Sequence, residues 1–108
     1  MDHHQLDQRS LAFHRLVAEK IRRDPGLFSK VLPTLQRWKG AEGCRRSLPY
    51  LMEWEQLARQ GMDACLTIAT EDSEHAQALR QSTPFVGILT HAERFAFLKS
   101  WKIEHDAR

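Results

Sequence analysis

The hydrophobic positions of the chain recur mostly three and four residues apart, which is the spacing of an amphipathic helix. The first such segment predicts a helix over about Asp7–Arg23. Its apolar positions are Leu6, Phe13, Leu16, Val17 and Ile21. Proline disfavours helical dihedrals in the residue before it, so Asp24-Pro25 ends this helix and favours the start of a second one. Pro33 lies inside the second segment, where it predicts a kink or two short helices.

Glycines and capping residues divide the rest of the chain into further helical segments. Gly40–Arg46 is predicted to be a loop, with Gly40 as a C-terminal cap. The helices predicted after it cover about Ser47–Gly61, Met62–Ala69, Ser73–Gln81 and Thr90–Glu104.

The link Ser82–Leu89 is predicted to be non-helical, with an apolar middle. Thr90 and Glu93 then form a capping box that opens the last helix. We expect Phe95, Leu98 and Trp101 to be the buried stripe of that helix. Because no segment alternates like a strand, the predicted fold is all-α, a compact bundle of about five or six short helices.

A length of 108 residues fits one domain, so we expect a single helical domain over 1–108 with residues 1–6 frayed. No apolar run approaches the ~20 residues of a membrane span. The polar start of the chain, Met1–Asp7, lacks the basic and apolar regions of a signal peptide, which favours the cytoplasm. Of the two cysteines, we expect Cys65 in the core and Cys44 in an exposed loop, both as free thiols.

Charge is unevenly distributed, although the net charge is only +2. Residues 1–46 carry ten Lys and Arg against five Asp and Glu, whereas residues 47–108 carry six against nine. One interpretation is that the basic half faces an acidic partner, either nucleic acid or a protein surface. The other is that these charges form ordinary solvated helix faces or attract the two halves to each other.

The motifs of common catalytic sites are missing from the sequence. The six histidines are not placed as in an HExxH site, and no Cys/His cluster for zinc occurs. The sequence also contains no GxSxG elbow and no glycine-rich phosphate loop. We therefore expect no catalytic residues, no metal site and no cofactor, and a protein that acts by binding.

Two kinds of residue are candidates for contact with a partner. The basic pairs Arg22-Arg23 and Arg45-Arg46 lie at a helix end and in the following loop, where they could contact phosphates or simply complement helix dipoles. Arg80 and Phe85 flank the proline of the 82–89 link, and the link either presents them to a partner or docks into the core as a hydrophobic staple. Gln77, Arg80 and Gln81 would be the exposed positions of a helix-turn-helix over 62–81, but that region is acidic.

Three segments resemble a group of small helical bacterial proteins with an LRQS(S/T)PF motif. They are RSLAFHRLVAEKIRRDP (Arg9–Pro25), YLMEWEQL (Tyr50–Leu57) and LRQSTPFVGILTHAER (Leu79–Arg94). Genes of such proteins often lie beside toxin genes, including nucleotidyltransferase-like partners of the abortive-infection type. The resemblance thus implies an antitoxin-like protein that binds and neutralises a toxin, and it assigns no catalytic residues.

Two alternatives to an antitoxin remain open at this point. The first is a nucleic-acid-binding transcriptional regulator that uses the basic N-terminal half. The second is a small enzyme or toxin. Three tryptophans also leave apolar area that a homodimer would bury.

Overall fold

The segments with helical spacing form six α-helices in the computed structural model, which describes residues 3–41, 43 and 45–106. Their bounds are α1 His3–Arg23, α2 Val31–Lys39, α3 Leu48–Gln60, α4 Met62–Ala69, α5 Glu74–Arg80 and α6 His91–Asp106. A 3₁₀ helix, Pro25–Lys30, lies between α1 and α2. The structure is 78% helical and forms a compact globule, and its described residues contain no strand. The predicted all-α bundle is confirmed.

The prolines act as the sequence predicts. Asp24 ends α1, and the chain restarts as the 3₁₀ helix with Pro25 in first position. Pro33 falls in the first turn of α2, where an amide N–H has no intrahelical acceptor and its loss costs little. The segment is therefore two short helices. The first helix is longer than predicted, since α1 begins at His3.

The core is built by α1 to α5 around the side chain of Trp54, which is fully buried. Its indole Nε1 donates a hydrogen bond to the carbonyl of Leu79 over 2.9 Å, which joins α3 to α5. Other buried members of the core include Val17, Ile21, Leu35, Leu51, Cys65, Leu66, Phe85 and Ile88. Burial raises the pKa of the Cys65 thiol to about 12, so this cysteine is an inert core residue, as predicted. Cys44 lies outside the described residues.

The last helix does not belong to this core, and the predicted buried stripe on α6 is wrong. The side chain of Phe95 is 70% exposed, that of Leu98 is 37% exposed, and Trp101 is only half-buried. The capping box itself is confirmed: the Glu93 amide donates to Thr90 Oγ1 and the Thr90 amide donates to Glu93 Oε1. Helical spacing shows which residues share a sector of a helix but not which sector meets the bundle.

The packing of the 82–89 link can be tested by comparing two neighbouring positions. Replacing the buried Phe85 by alanine is expected to lower the free energy of unfolding by about 3–5 kcal/mol, because the lost ring leaves a cavity in the core. The control is Val86→Ala, at a half-exposed side chain, where the expected loss is under about 1 kcal/mol. Urea unfolding measures both, and equal losses would contradict the described packing.

Candidate interaction surface

The link between α5 and α6 docks into the core through Phe85. This ring packs edge-to-face between Trp54 and His14, with ring centroids 5.6 and 6.0 Å apart. Gly87 has a φ of 74°, in the left-handed region that favours glycine, and Ile88 returns to the core. Phe85 is 1% exposed, so the prediction that it contacts a partner is wrong. Its ring instead anchors the link in the core.

Arg80, the other contact candidate near this link, is also buried, with 4% of its surface exposed. Its Nη1 donates to the carbonyls of Ala69 and Glu71, over 3.3 and 2.8 Å, and so satisfies the end of α4. Burial is also the main cause that lowers the pKa of Arg80. The expectation of an exposed Arg80 on a recognition helix is therefore wrong, because the backbone carbonyls at the end of α4 draw the guanidinium inwards.

His14 is a buried residue for which the sequence alone predicts no role. Its Nδ1–H donates to the Ser10 carbonyl over 2.7 Å, and its Nε2 accepts from the Thr83 hydroxyl over 2.8 Å. The ring thus ties α1 to the link that precedes α6. Burial lowers the pKa of His14 to about 4, and the charge of Arg80 acts in the same direction. This histidine is neutral at physiological pH.

The buried His14 predicts that the fold weakens in mild acid. Because its pKa is near 6.5 in the unfolded chain and about 4 in the folded one, the unfolded chain takes up the proton first as the pH falls. The free energy of unfolding is therefore expected to decrease between pH 6.5 and 4, by roughly 3 kcal/mol from this residue. Urea unfolding at several pH values measures how steeply the free energy of unfolding changes with pH.

Two variants isolate the contribution of His14. His14→Gln is expected to flatten the slope above pH 5, whereas His91→Gln, at an exposed histidine, leaves it unchanged. If the free energy of unfolding of His14→Gln still decreases as the pH falls, other groups cause the decrease.

Aromatic rings and one ion pair attach α6 to the bundle. Phe97 meets Phe13 of α1 with centroids 5.6 Å apart, and along α6 Phe97, Trp101 and His105 stack in succession. At the start of the helix, Lys20 Nζ lies 2.5 Å from Glu93 Oε1. The hydrogen bond from Lys20, followed by that from the Thr90 amide, lowers the pKa of Glu93 to about 2. These contacts fix one side of α6.

The remaining surface of α6 is apolar and basic. Ile103 is 61% exposed and joins Phe95 and Leu98 on this part of the helix. At about 100° per residue, the exposed cations over residues 91–105 belong to the same broad sector, and the carboxylates Glu93 and Glu104 lie on the opposite side. The cations are Arg94, Lys99 and Lys102. We call this sector, over residues 91–105, the α6 face.

Of the two predicted basic pairs, the structure places Arg22 and Arg23 in one cavity and Arg45 and Arg46 elsewhere. Arg22 and Arg23 are exposed and line a cavity of about 420 Å³ between α1 and the end of α4, together with Arg15. Arg45 and Arg46 are exposed in the connection before α3. Within the part of the chain that the structure describes, none of these arginines forms an ion pair.

The sequence does not predict the α6 face, because helical spacing alone assigns Phe95, Leu98 and Trp101 to the core. One feature of the sequence does indicate an exposed apolar surface. Large apolar side chains at positions 95, 97, 98, 101 and 103 cover a wider sector of the helix than one contact with the bundle can bury. A surface helix with a single core contact leaves some of them exposed.

No metal-binding or membrane-spanning arrangement was found in the described residues. They contain no group of three or more His, Cys, Asp and Glu side chains able to hold a metal ion. No helix among them has both the length and the apolar content needed to cross a membrane. No family model, curated protein or solved structure matches the chain.

Proposed function

We propose that this protein acts by binding another protein through the α6 face, as an antitoxin-like molecule that neutralises a toxin without catalysis of its own. The observation that carries the proposal is the exposure of Phe95, Leu98 and Ile103 on a helix with no buried residue over its described positions 91–105. Large apolar side chains gain free energy when they leave water, at roughly 25 cal/mol per Å² of apolar surface. Aromatic side chains are also enriched among the residues that dominate binding energy.

The charges of the α6 face favour an acidic partner. Arg94, Lys99 and Lys102 surround the apolar side chains, and Glu93 and Glu104 lie on the other side of the helix. A partner with an apolar groove bordered by Asp and Glu complements this pattern. A second copy that pairs α6 with α6 would bring these cations close together, which costs energy. A homodimer through this face is therefore the weaker form of the proposal.

The identity of the partner as a toxin rests on the resemblance of Leu79–Arg94 and two other segments to proteins encoded beside toxin genes. A nucleotidyltransferase-like toxin is the partner proposed on that ground. The described part of the chain adds the surface through which such binding would occur.

Truncation of the most exposed aromatic side chain tests the proposal. Phe95→Ala is expected to weaken binding to the product of the neighbouring gene by about 30-fold, the loss typical of an aromatic residue at the centre of an interface. Co-purification and calorimetry measure the complex, and rescue of growth during co-expression measures neutralisation. Phe95 is mostly exposed, so the variant is expected to fold normally.

Met52→Ala is the matched control, because Met52 is a half-exposed apolar side chain on α3, away from α6. It is expected to leave affinity and growth rescue unchanged. If no complex forms, or if Phe95→Ala and Met52→Ala bind equally well, the α6 face is not the interface.

A second candidate function is nucleic-acid binding by the basic N-terminal half. The observation in its favour is that Arg15, Arg22 and Arg23 line one cavity, together with the single carboxylate of Glu19, and form no ion pair within the described part of the chain. Arg45 and Arg46 would extend the contact only if the nucleic acid reaches the connection before α3. Phosphates bound by arginines release counterions, so such binding depends steeply on salt.

This second candidate predicts a specific change in salt dependence. Replacing Arg22 and Arg23 together by glutamine is expected to reduce the slope of log affinity against log salt by about 2 for the protein's own promoter DNA. The control is Arg59→Gln, since Arg59 lies on α3 and pairs with Glu55. Fluorescence anisotropy at several salt concentrations gives the slopes, and binding that ignores salt would exclude this function.

A further inference from the structure

Three arginines from different parts of the chain line one small cavity between α1 and α6. The cavity has a volume of about 260 Å³, and its cationic lining residues are Arg9 of α1, Arg80 of α5 and Arg94 of α6. They come from positions up to 85 residues apart in the sequence, so only the fold brings them together. From this arrangement we propose that the cavity is a binding site for a small oxyanion that carries an apolar group.

None of the three guanidinium groups has a carboxylate within ion-pair distance among the described residues. Arg80 is the most unusual of them, because it is 4% exposed and its Nε has no hydrogen-bond partner in the described part of the chain. Buried charges are normally paired, since desolvation is expensive. Asp7, Glu71 and Asp72 offset the charge of Arg80 only from a distance. A bound anion would complete the pairing.

The apolar part of the lining defines what the anion is attached to. Leu6, Phe97 and Leu98 contribute hydrocarbon surface to the same cavity. A carboxylate or phosphate can accept two parallel hydrogen bonds from a guanidinium, and its hydrocarbon portion can lie against these side chains. The volume suits a short organic acid or a small phosphate monoester. The ligand class is therefore a small amphiphilic oxyanion.

Titration of the full-length, ¹⁵N-labelled chain at constant ionic strength tests the proposal with three probes: sodium hexanoate, inorganic phosphate and hexan-1-ol. Hexanoate is expected to cause saturable amide shifts at Ser10, Thr83 and Leu98, whereas the uncharged alcohol binds at least tenfold more weakly. Saturable binding of phosphate as well would indicate that the charge alone is recognised, and binding of hexanoate alone that the apolar group is required. Both results support an oxyanion site.

Variants at the two more accessible arginines identify the site. Arg9→Gln and Arg94→Gln are each expected to weaken hexanoate binding by about tenfold or more, the loss typical of a charge-assisted hydrogen bond. Arg59→Gln is the control, an exposed arginine of α3 outside this cavity. Arg80 is left intact because its hydrogen bonds support α4.

The proposal is overturned if hexan-1-ol binds as tightly as hexanoate, or if Arg9→Gln and Arg94→Gln bind like the unmodified chain. It does not depend on the proposed protein partner. Phe95→Ala is expected to weaken the complex with that partner and to leave hexanoate binding unchanged. The two readouts therefore test the two proposals separately.

Discussion

The contact between Trp54 and Phe85 is the constraint on which the rest of the structure depends. Trp54 is the largest buried side chain, and its indole is held by the carbonyl of Leu79 as well as by the ring of Phe85. Phe85 in turn fixes the link that carries the chain from α5 to α6. Without the Phe85 ring, His14 would lose an aromatic contact, and the link before α6 would lose the residue that anchors it in the core.

The contacts around Trp54 differ from the contacts that hold α6 against α1. Around Trp54 the core is formed by buried apolar side chains, with partly buried ones packed against them. Beyond Phe13 the contacts pass through Phe97 to Trp101, where one side of the helix is already in water. The protein therefore combines a compact bundle, α1 to α5, with a helix whose ring contacts and ion pair lie along one edge. An anchored helix with an open edge is suited to recognition.

Local signals in the sequence predicted most of the fold. The helix Met62–Ala69 has the predicted bounds, and Ser73 caps α5 by accepting a hydrogen bond from the Ala76 amide. Such features depend on residues close together in the chain. The candidate site depends on tertiary packing instead: the burial of Arg80 follows from carbonyls nine and eleven residues away, and the exposure of Phe95 follows from the orientation of α6. Neither can be derived from periodicity alone.

The position of α6 also has a consequence for how the protein can diverge. Substitutions at Phe95, Lys99 or Ile103 touch no core side chain, so selection can alter them without a cost to the bundle. Substitutions at Phe85 or Trp54 carry that cost. Relatives are therefore expected to share the bundle and the Phe85 staple while the outer side of α6 varies from one lineage to the next.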